Sequence, residues 1–87
     1  MTIIHKKCWP ELFKLVLEGK KKFDARLADF ECKPGDILVL EEWDPTTATY
    51  TGRKLEKKVT YVMKTKDMKF WSKEDVEKLG FQIISLE

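Results

Sequence analysis

The sequence predicts an α+β fold, in which a bent antiparallel or mixed sheet of five or six strands closes into a small β-barrel with two packed helices. The 87 residues are enough for one hydrophobic core and too few for two, so residues 1–87 are predicted to form a single domain. Two segments have the apolar spacing of helices, and others have the alternation or apolar composition of strands. Short connections join almost all of these elements, which favours a sheet whose strands follow one another along the chain.

The first strand and the first helix are predicted near the N-terminus. Residues 2–7 form a short strand with Ile3 and His5 on one face. Pro10 suits the first helical position, because its missing donor would be unpaired there in any case. Gly19 ends the helix, since glycine accepts the left-handed conformation that other residues resist. The apolar stripe of this helix comprises Leu12, Phe13, Val16 and Leu17.

Two strands are predicted in the middle of the chain. Residues 22–27 alternate between apolar and polar side chains, which indicates a half-buried strand with Asp24 and Arg26 on its polar face. A turn at residues 33–36 leads into the apolar run 37–40, whose composition is that of a strand covered on both faces.

The C-terminal half contributes the remaining predicted elements. Residues 49–51 are a short extended piece, and residues 55–63 alternate along a longer strand. Ser72 caps the second helix, with Asp75 at capping-box spacing, and Gly80 ends it.

A last strand at residues 81–86 completes the predicted order of strand, helix, three or four strands, helix and strand. A small barrel with two helices fits this order. A ferredoxin-like sandwich fits less well, because meandering strands follow the first helix where that fold needs a strand pair.

Composition argues against several classes of protein. The apolar content is that of a globular chain, and no apolar run approaches the ~20 residues of a membrane helix. Residues 1–7 lack the apolar stretch of a secretory signal, so a soluble cytoplasmic protein is expected. Two cysteines outside any CxxC pair and a single histidine favour neither a disulfide framework nor a metal site, and no cofactor is expected.

The net charge of +2 is small, but the charges are unevenly distributed. The first 34 residues carry eight basic and five acidic side chains, whereas residues 35–53 carry one basic and four acidic side chains. A local basic patch, here around residues 20–26, can steer a phosphate even on a nearly neutral protein. The same lysines also suit a solvated helix end, where cations interact favourably with the helix dipole, and composition alone favours that interpretation.

The segment 19–26, Gly-Lys-Lys-Lys-Phe-Asp-Ala-Arg, resembles the signature of the ASCH family, a branch of the PUA-like superfamily. Gly19, Lys21 and Arg26 match this signature, and Asp24 stands where glutamate is usual. Further similarity along nearly the whole chain lies at His5, Phe13, Asp29, the Pro-Gly-Asp-Ile-Leu run at 34–38 and the Tyr-Thr-Gly-Arg run at 50–53. The branch that the chain resembles often has asparagine, arginine and an aromatic residue where this sequence has Ala28, Phe30 and Cys32.

This resemblance implies a PUA-like barrel that binds RNA or a nucleotide-like small molecule in a cleft beside the signature. Some ASCH proteins are instead amidohydrolases that deacylate N4-acetylcytidine with the signature lysine, a threonine and a glutamate. Asp24 occupies the position of that threonine, so the hydroxyl is missing and binding is the first hypothesis. A small amidohydrolase that acts on an acylated nucleoside is the alternative. A protein-interaction module with a solvated basic strand is a third possibility.

The signature residues have the chemistry that a phosphate or a polarised carbonyl requires. Arg26 is a planar two-pronged donor, and Lys21 is a compact point charge. Asp24 can orient the Arg26 guanidinium, although the two also suit an ordinary exposed ion pair worth ~0–1 kcal/mol. Strict alternation places Lys21 on the other strand face, so it joins them only through a turn or bulge after Gly19.

His5 and Arg53 complete the predicted ligand-binding set. His5 suits a ligand contact, a general base or a hydrogen bond to the backbone. Trp43 or Tyr50 beside Arg53 is the preferred base-stacking surface. Cys8 is predicted to be a buried apolar residue and not a nucleophile, because His5 points to the opposite strand face. The aromatic residues expected in the core are Phe13, Phe23, Tyr61 and Phe81.

Overall fold

A three-stranded mixed sheet organises the fold in the computed structural model, which describes all 87 residues. Strand β1 is Ile3–Cys8, β2 is Ile37–Asp44 and β3 is Thr49–Lys58, and β2 lies between the other two. β2 runs parallel to β1 and antiparallel to β3. Parallel neighbours need a long crossover, which the chain between β1 and β2 supplies.

Helix α1, Pro10–Leu17, forms the first part of this crossover. Proline occupies the first turn, together with the acidic side chain of Glu11, as the sequence predicts. Glu18 caps the C-terminus of the helix, and Gly19 follows with a φ of 77°, in the left-handed region. The prediction of this helix is confirmed.

Helix α2, Lys73–Leu79, follows a short 3₁₀ turn at Thr65–Asp67. The Ser72 hydroxyl oxygen accepts a hydrogen bond from the Asp75 amide at 3.1 Å, which confirms the predicted cap. Neither helix has the length and hydropathy needed to cross a bilayer.

The hydrophobic core lies between α1 and one face of the sheet. Phe13 and Leu40 are its most deeply buried residues, at 1% and 2% exposure, and Cys8 and Val16 complete the cluster. A fully buried side chain of this size contributes roughly 1.5–3 kcal/mol relative to an exposed one. Val39 is buried on the other face of β2, so this strand is covered on both faces, as predicted.

Asp36 fastens the turn before β2 to the start of the chain. Its carboxylate accepts hydrogen bonds from the amides of Thr2 and Lys33, each at 3.0 Å, and the residue is 3% exposed. These two hydrogen bonds lower the pKa of Asp36. Backbone hydrogen bonds from Gly35 to Val59 and from Val59 to Asp36 attach the end of β3 to the same turn.

The prediction of a closed barrel of five or six strands is wrong, and the fold is a small α+β structure with an open sheet. Residues 22–27 and 81–86 are not strands, and the segment 59–63 does not continue β3. The Lys22 amide does reach Ser85, but it donates to the side-chain oxygen at 2.8 Å, and no backbone ladder joins the two segments. Alternation shows only that a segment has an apolar side; a strand also needs backbone partners.

Candidate functional site

Lys21, Asp24 and Arg26 lie together in the segment that follows α1. Arg26 Nε donates to Asp24 Oδ2 at 2.6 Å, and Lys21 Nζ lies 3.9 Å from Asp24 Oδ1. Lys21 Nζ also donates to the Phe23 carbonyl oxygen at 2.8 Å. In a regular strand, the Lys21 side chain would point to the face opposite Asp24 and Arg26. This segment is irregular and not a strand, so Lys21 can lie on the same side as the other two.

The Arg26 guanidinium keeps unused donors. Only its Nε bonds to Asp24, and neither terminal nitrogen makes a hydrogen bond within the protein. The side chains of Asp24 and Arg26 are 18% and 25% exposed, so the pair is held against the protein surface. A fixed guanidinium with two free terminal nitrogens can bind a phosphate or a carboxylate in a two-pronged manner.

A bulge in β3 builds a second charged cluster. Between the pairs Glu41–Lys54 and Trp43–Tyr50, the single residue Glu42 of β2 faces three residues of β3. The central residue of the three, Gly52, has a φ of 97°, which a residue with a side chain rarely adopts.

This bulge brings two side chains of β3 to the Glu42 carboxylate. Thr51 Oγ1 donates to Glu42 Oε1 at 2.6 Å, and Arg53 donates from Nε at 2.9 Å and from Nη2 at 2.7 Å. The Glu42 side chain is 4% exposed, whereas that of Arg53 is 55% exposed. Arg53 therefore reaches from a buried carboxylate towards solvent.

The hydrogen bonds of this cluster fix its charges. Those from Arg53 and Thr51 lower the pKa of Glu42, and the Glu42 carboxylate raises the pKa of Arg53. Both groups are therefore charged at neutral pH. Arg53 Nη1 is the one guanidinium nitrogen that Glu42 does not engage.

Both clusters border the same end of the core. The Arg53 guanidinium carbon lies 5.0 Å from the centroid of the Phe13 ring, and Glu42 is beside Cys8 in the sheet register. Burial raises the pKa of the Cys8 thiol, and Asp24 raises it further while Arg26 lowers it, so the signature segment acts on the same residue. A buried thiol with a raised pKa is a poor nucleophile, as the sequence predicts.

These two clusters define one candidate site, here called the Lys21–Arg53 site. Its residues are Lys21, Asp24, Arg26, Glu42, Thr51 and Arg53, which are grouped because charges of both clusters act on the Cys8 thiol. Neither this site nor any other part of the molecule has a group of three or more His, Cys, Asp or Glu side chains that could hold a metal ion.

His5 lies away from this site. Its register partner is Val39, and its Nδ1 is 3.7 Å from Glu41 Oε2, on the sheet face opposite Cys8 and Glu42. The structure therefore brings Lys21, Asp24 and Arg26 of the predicted set together, places Arg53 in the Glu42 cluster and puts His5 on the opposite sheet face.

Trp43 and Tyr50 form cation–aromatic pairs with Lys7, whereas the guanidinium of Arg53 lies over Phe13. Trp43 and Tyr50 are cross-strand partners, and Lys7 Nζ lies 4.4 Å from the Trp43 ring centroid and 5.9 Å from that of Tyr50. This cation–aromatic cluster belongs to the same sheet face as Glu41, the register partner of Lys7.

Glu42 and Thr51 are functional candidates that sequence reasoning missed. The sequence indicates Glu42 only as one of the acidic residues in the segment 35–53, and Thr51 only as part of the extended piece 49–51. A glycine inside a strand pattern is a known signal for a bulge, and Gly52 carried that signal. It predicts where the backbone deviates, but not which carboxylate the flanking side chains reach.

Residues 4–76 match the family described as a domain of unknown function, DUF3850. The chain belongs to the DUF3850 family. All residues of the Lys21–Arg53 site fall within the matched range of this DUF3850 domain.

One curated relative of the DUF3850 domain is an uncharacterized 12.9 kDa protein in the GpA 3′ region of Escherichia phage P2. The two are 41% identical over 68 residues, which cover 77% of this chain and 61% of the phage protein. The DUF3850 domain thus aligns with less than two thirds of its relative's length. No solved structure matches the chain.

Proposed function

We propose that this DUF3850 domain binds RNA or a nucleotide-like small molecule, with a phosphate held at the Lys21–Arg53 site. The observation that carries the proposal is that a carboxylate orients both Arg26 and Arg53 while terminal guanidinium nitrogens stay free, with Lys21 beside Asp24. Phosphate contacts of this kind supply affinity and position the ligand without reading its sequence.

The two carboxylates of the site prepare its arginines for an anion. Asp24 holds Arg26 through Nε alone, and Glu42 holds Arg53 through Nε and Nη2. The guanidinium groups are therefore oriented before a ligand arrives, which reduces the side-chain entropy lost on binding. The terminal nitrogens that stay free are the donors for phosphate oxygens.

Lys21 adds a third cation with a different character. Its side chain is 12% exposed, and its ammonium group donates to the Phe23 carbonyl oxygen with two hydrogens left for other acceptors. The ammonium group also lies 4.8 Å from the Phe23 ring centroid, so the charge is stabilised beside an aromatic face.

The amidohydrolase hypothesis is less well supported by these contacts. Catalysis would need a base, and the lowered pKa of Glu42 makes its carboxylate a weak one at neutral pH. Cys8 is buried with a raised pKa and is a poor nucleophile. Membership of the ASCH family stays a prediction, since the fold lacks the closed barrel that this resemblance implies. Nucleotide binding is therefore proposed from the contacts of the site itself.

The test is a titration with labelled single-stranded RNA of mixed sequence, and separately with UMP and ATP, at low salt. We expect saturable binding that weakens as the salt rises from about 50 to about 200 mM. Arg26→Ala should weaken binding roughly tenfold or more, since a charge-assisted hydrogen bond contributes about 1.5–3 kcal/mol. Arg26→Lys keeps the charge but loses the two-pronged geometry, so its affinity should lie between those of the wild-type protein and Arg26→Ala.

Lys14→Ala is the matched control, because Lys14 is an exposed cation of α1 outside the site. The proposal is wrong if no RNA or nucleotide binds saturably, or if Lys14→Ala weakens binding as much as Arg26→Ala. Incubation with N4-acetylcytidine gives the alternative its own outcome. Release of cytidine that Lys21→Ala abolishes would favour the amidohydrolase.

A further inference from the structure

A groove lies between the 3₁₀ turn at Thr65–Asp67 and helix α2, in a part of the molecule that the Lys21–Arg53 site does not include. Its volume is about 710 Å³, within the usual range for small-molecule sites. The apolar side chains that line it are Met68, Trp71, Val76 and Phe81, and the polar ones are Thr65, Lys66, Lys69, Lys73 and Glu77.

An aromatic surface forms one wall of this groove. The rings of Trp71 and Phe81 meet edge to face, with centroids 5.7 Å apart and an interplanar angle of 62°. Phe70 contacts Trp71 in the same manner at 5.6 Å. These contacts fix the indole ring, yet Trp71 is still 53% exposed. A fixed and exposed indole offers a stacking surface for a planar ligand.

The rim of the groove is positively charged. Lys66, Lys69 and Lys73 line it against the single carboxylate of Glu77. None of these three lysines takes part in any of the ion pairs of the molecule, whereas nearby Lys64 pairs with Glu31 at 3.7 Å. Three ammonium groups without carboxylate partners around one opening attract an anion.

The combination of the two features restricts the ligand. An apolar molecule would leave the lysines unused, and inorganic phosphate would leave the indole unused. A nucleotide has a planar base for the indole and phosphates for the lysines, which is the arrangement that proteins use for single-stranded nucleic acid.

We propose that this groove is a second nucleotide-binding site, in which a base stacks on Trp71 and its phosphates contact Lys66, Lys69 and Lys73. The nucleotide is either free or one unit of a single-stranded chain. The groove shares no residue with the Lys21–Arg53 site, so the proposal does not depend on a ligand at that site.

The experiment uses the full chain carrying Arg26→Ala, so that binding at the Lys21–Arg53 site is weakened. Its probes are UMP, a labelled hexamer of uridylate and inorganic pyrophosphate. Trp71→Leu should weaken binding of the hexamer by roughly 5- to 150-fold, the range expected for the loss of one stacked base. Trp71→Phe keeps an aromatic face and should lose much less.

The lysines have a separate readout in the salt dependence. Changing Lys66, Lys69 and Lys73 together to glutamine should reduce the slope of log affinity against log salt by about 0.7 for each phosphate that the side chains no longer neutralise. Lys78→Gln is the matched control, because Lys78 lies on α2 but does not line the groove. It should leave both the affinity and the slope unchanged.

Chemical shifts report the contact directly, in a chain whose groove residues are unchanged. The indole N–H signal of Trp71, assigned by its absence in Trp71→Phe, should shift on addition of UMP or the hexamer. Saturation by UMP would identify a free nucleotide as the ligand, and saturation by the hexamer alone would identify a single-stranded chain. The proposal is overturned if this signal stays in place with both, or if pyrophosphate binds as tightly as the hexamer.

Discussion

The first 58 residues and the last 29 differ in how many side chains they bury. All seven buried residues lie between Cys8 and Glu42, in the sheet, in α1 and in the turn before β2. The last 29 residues contain no strand and no buried residue, but they hold nine of the 17 exposed large hydrophobic side chains. Since apolar burial is the main favourable term in folding, the stability of this molecule resides in its first 58 residues.

The proposed sites follow the same division. In the Lys21–Arg53 site, two buried residues position Arg53. Glu42 pairs with its guanidinium, and the Phe13 ring packs against it. The groove at Trp71 depends on local contacts between aromatic rings and on the cap of α2. A change in the core should therefore damage the first site, and a change near α2 should leave it intact.

The largest expected effect comes from truncating the core. Phe13→Ala should lower the free energy of unfolding by about 3–5 kcal/mol, because it removes a fully buried ring and leaves a cavity. Phe81→Ala makes the same chemical change at a residue that is 45% exposed, and it should cost far less. Urea denaturation measures both, and Phe13→Leu provides a milder variant if Phe13→Ala does not fold. Equal losses would show that the C-terminal region is as tightly packed as the core.

The bulge in β3 is the next test. Gly52→Ala puts a Cβ on a residue with a φ of 97°, which should cost about 1–2 kcal/mol in backbone strain. The strain should also displace the neighbouring Arg53 from Glu42, visible as a shift of its Nε–H signal in NMR spectra. Gly80→Ala, at a φ of 68° after α2, should leave that signal unchanged. If the Arg53 Nε–H signal did not shift in Gly52→Ala, the bulge would not determine the position of Arg53 relative to Glu42.

A smaller and local effect is expected at the cap of α2. Ser72→Ala removes the hydroxyl that accepts from the Asp75 amide, at a cost of about 1 kcal/mol, and Ser72→Gly should cost only a few tenths. Amide hydrogen exchange in α2 should rise while exchange in β2 stays constant. Faster exchange in both elements would indicate that the two regions unfold as one unit.

Acid should lower the free energy of unfolding of the first 58 residues, whereas their stability at neutral pH should not depend on pH. Asp36 and Glu42 have lowered pKa values in the folded protein, so the unfolded chain binds their protons more readily. Their contribution is therefore present above the ordinary values of 3.8 and 4.5 and is lost as the pH falls below them. Urea denaturation between pH 7 and pH 3 should show this loss, and Asp36→Asn should reduce its steepness. A stability that is flat across that range would contradict the prediction.

The helices were predictable because their signals are local. Pro10, Gly19, Ser72 and Gly80 mark helix ends through the geometry of one or two turns, and the structure has each helix where they indicate. The burial of Phe13 and Cys8 follows in the same manner from spacing within a few residues. Tyr61 and Phe81 were expected in the core and are exposed, because their burial depended on strands that do not form.

The candidate site was only partly predictable. Of the residues that the sequence indicates, Lys21, Asp24 and Arg26 lie together, and Arg53 lies against Phe13 in the Glu42 cluster. His5 was selected with them, but the alternation of β1 and its register with β2 place it on the other face. Glu42 and Thr51 were not selected, since their role depends on a bulge that brings residues nine positions apart into contact.

The sequence by itself determined the helix ends, the apolar spacing that buries Phe13 and Val16 of α1, and the basic segment that follows this helix, because each depends on neighbours within about one turn. Leu12 and Leu17 of the same predicted stripe are exposed. Only the tertiary structure decided that the sheet stops at three strands and that Arg53 meets Glu42 above Phe13. Strand pairing is a choice among distant partners, and alternation does not specify the partner. The physical reason is that a backbone ladder, or an ion pair on a buried carboxylate, exists only when both of its partners are in place.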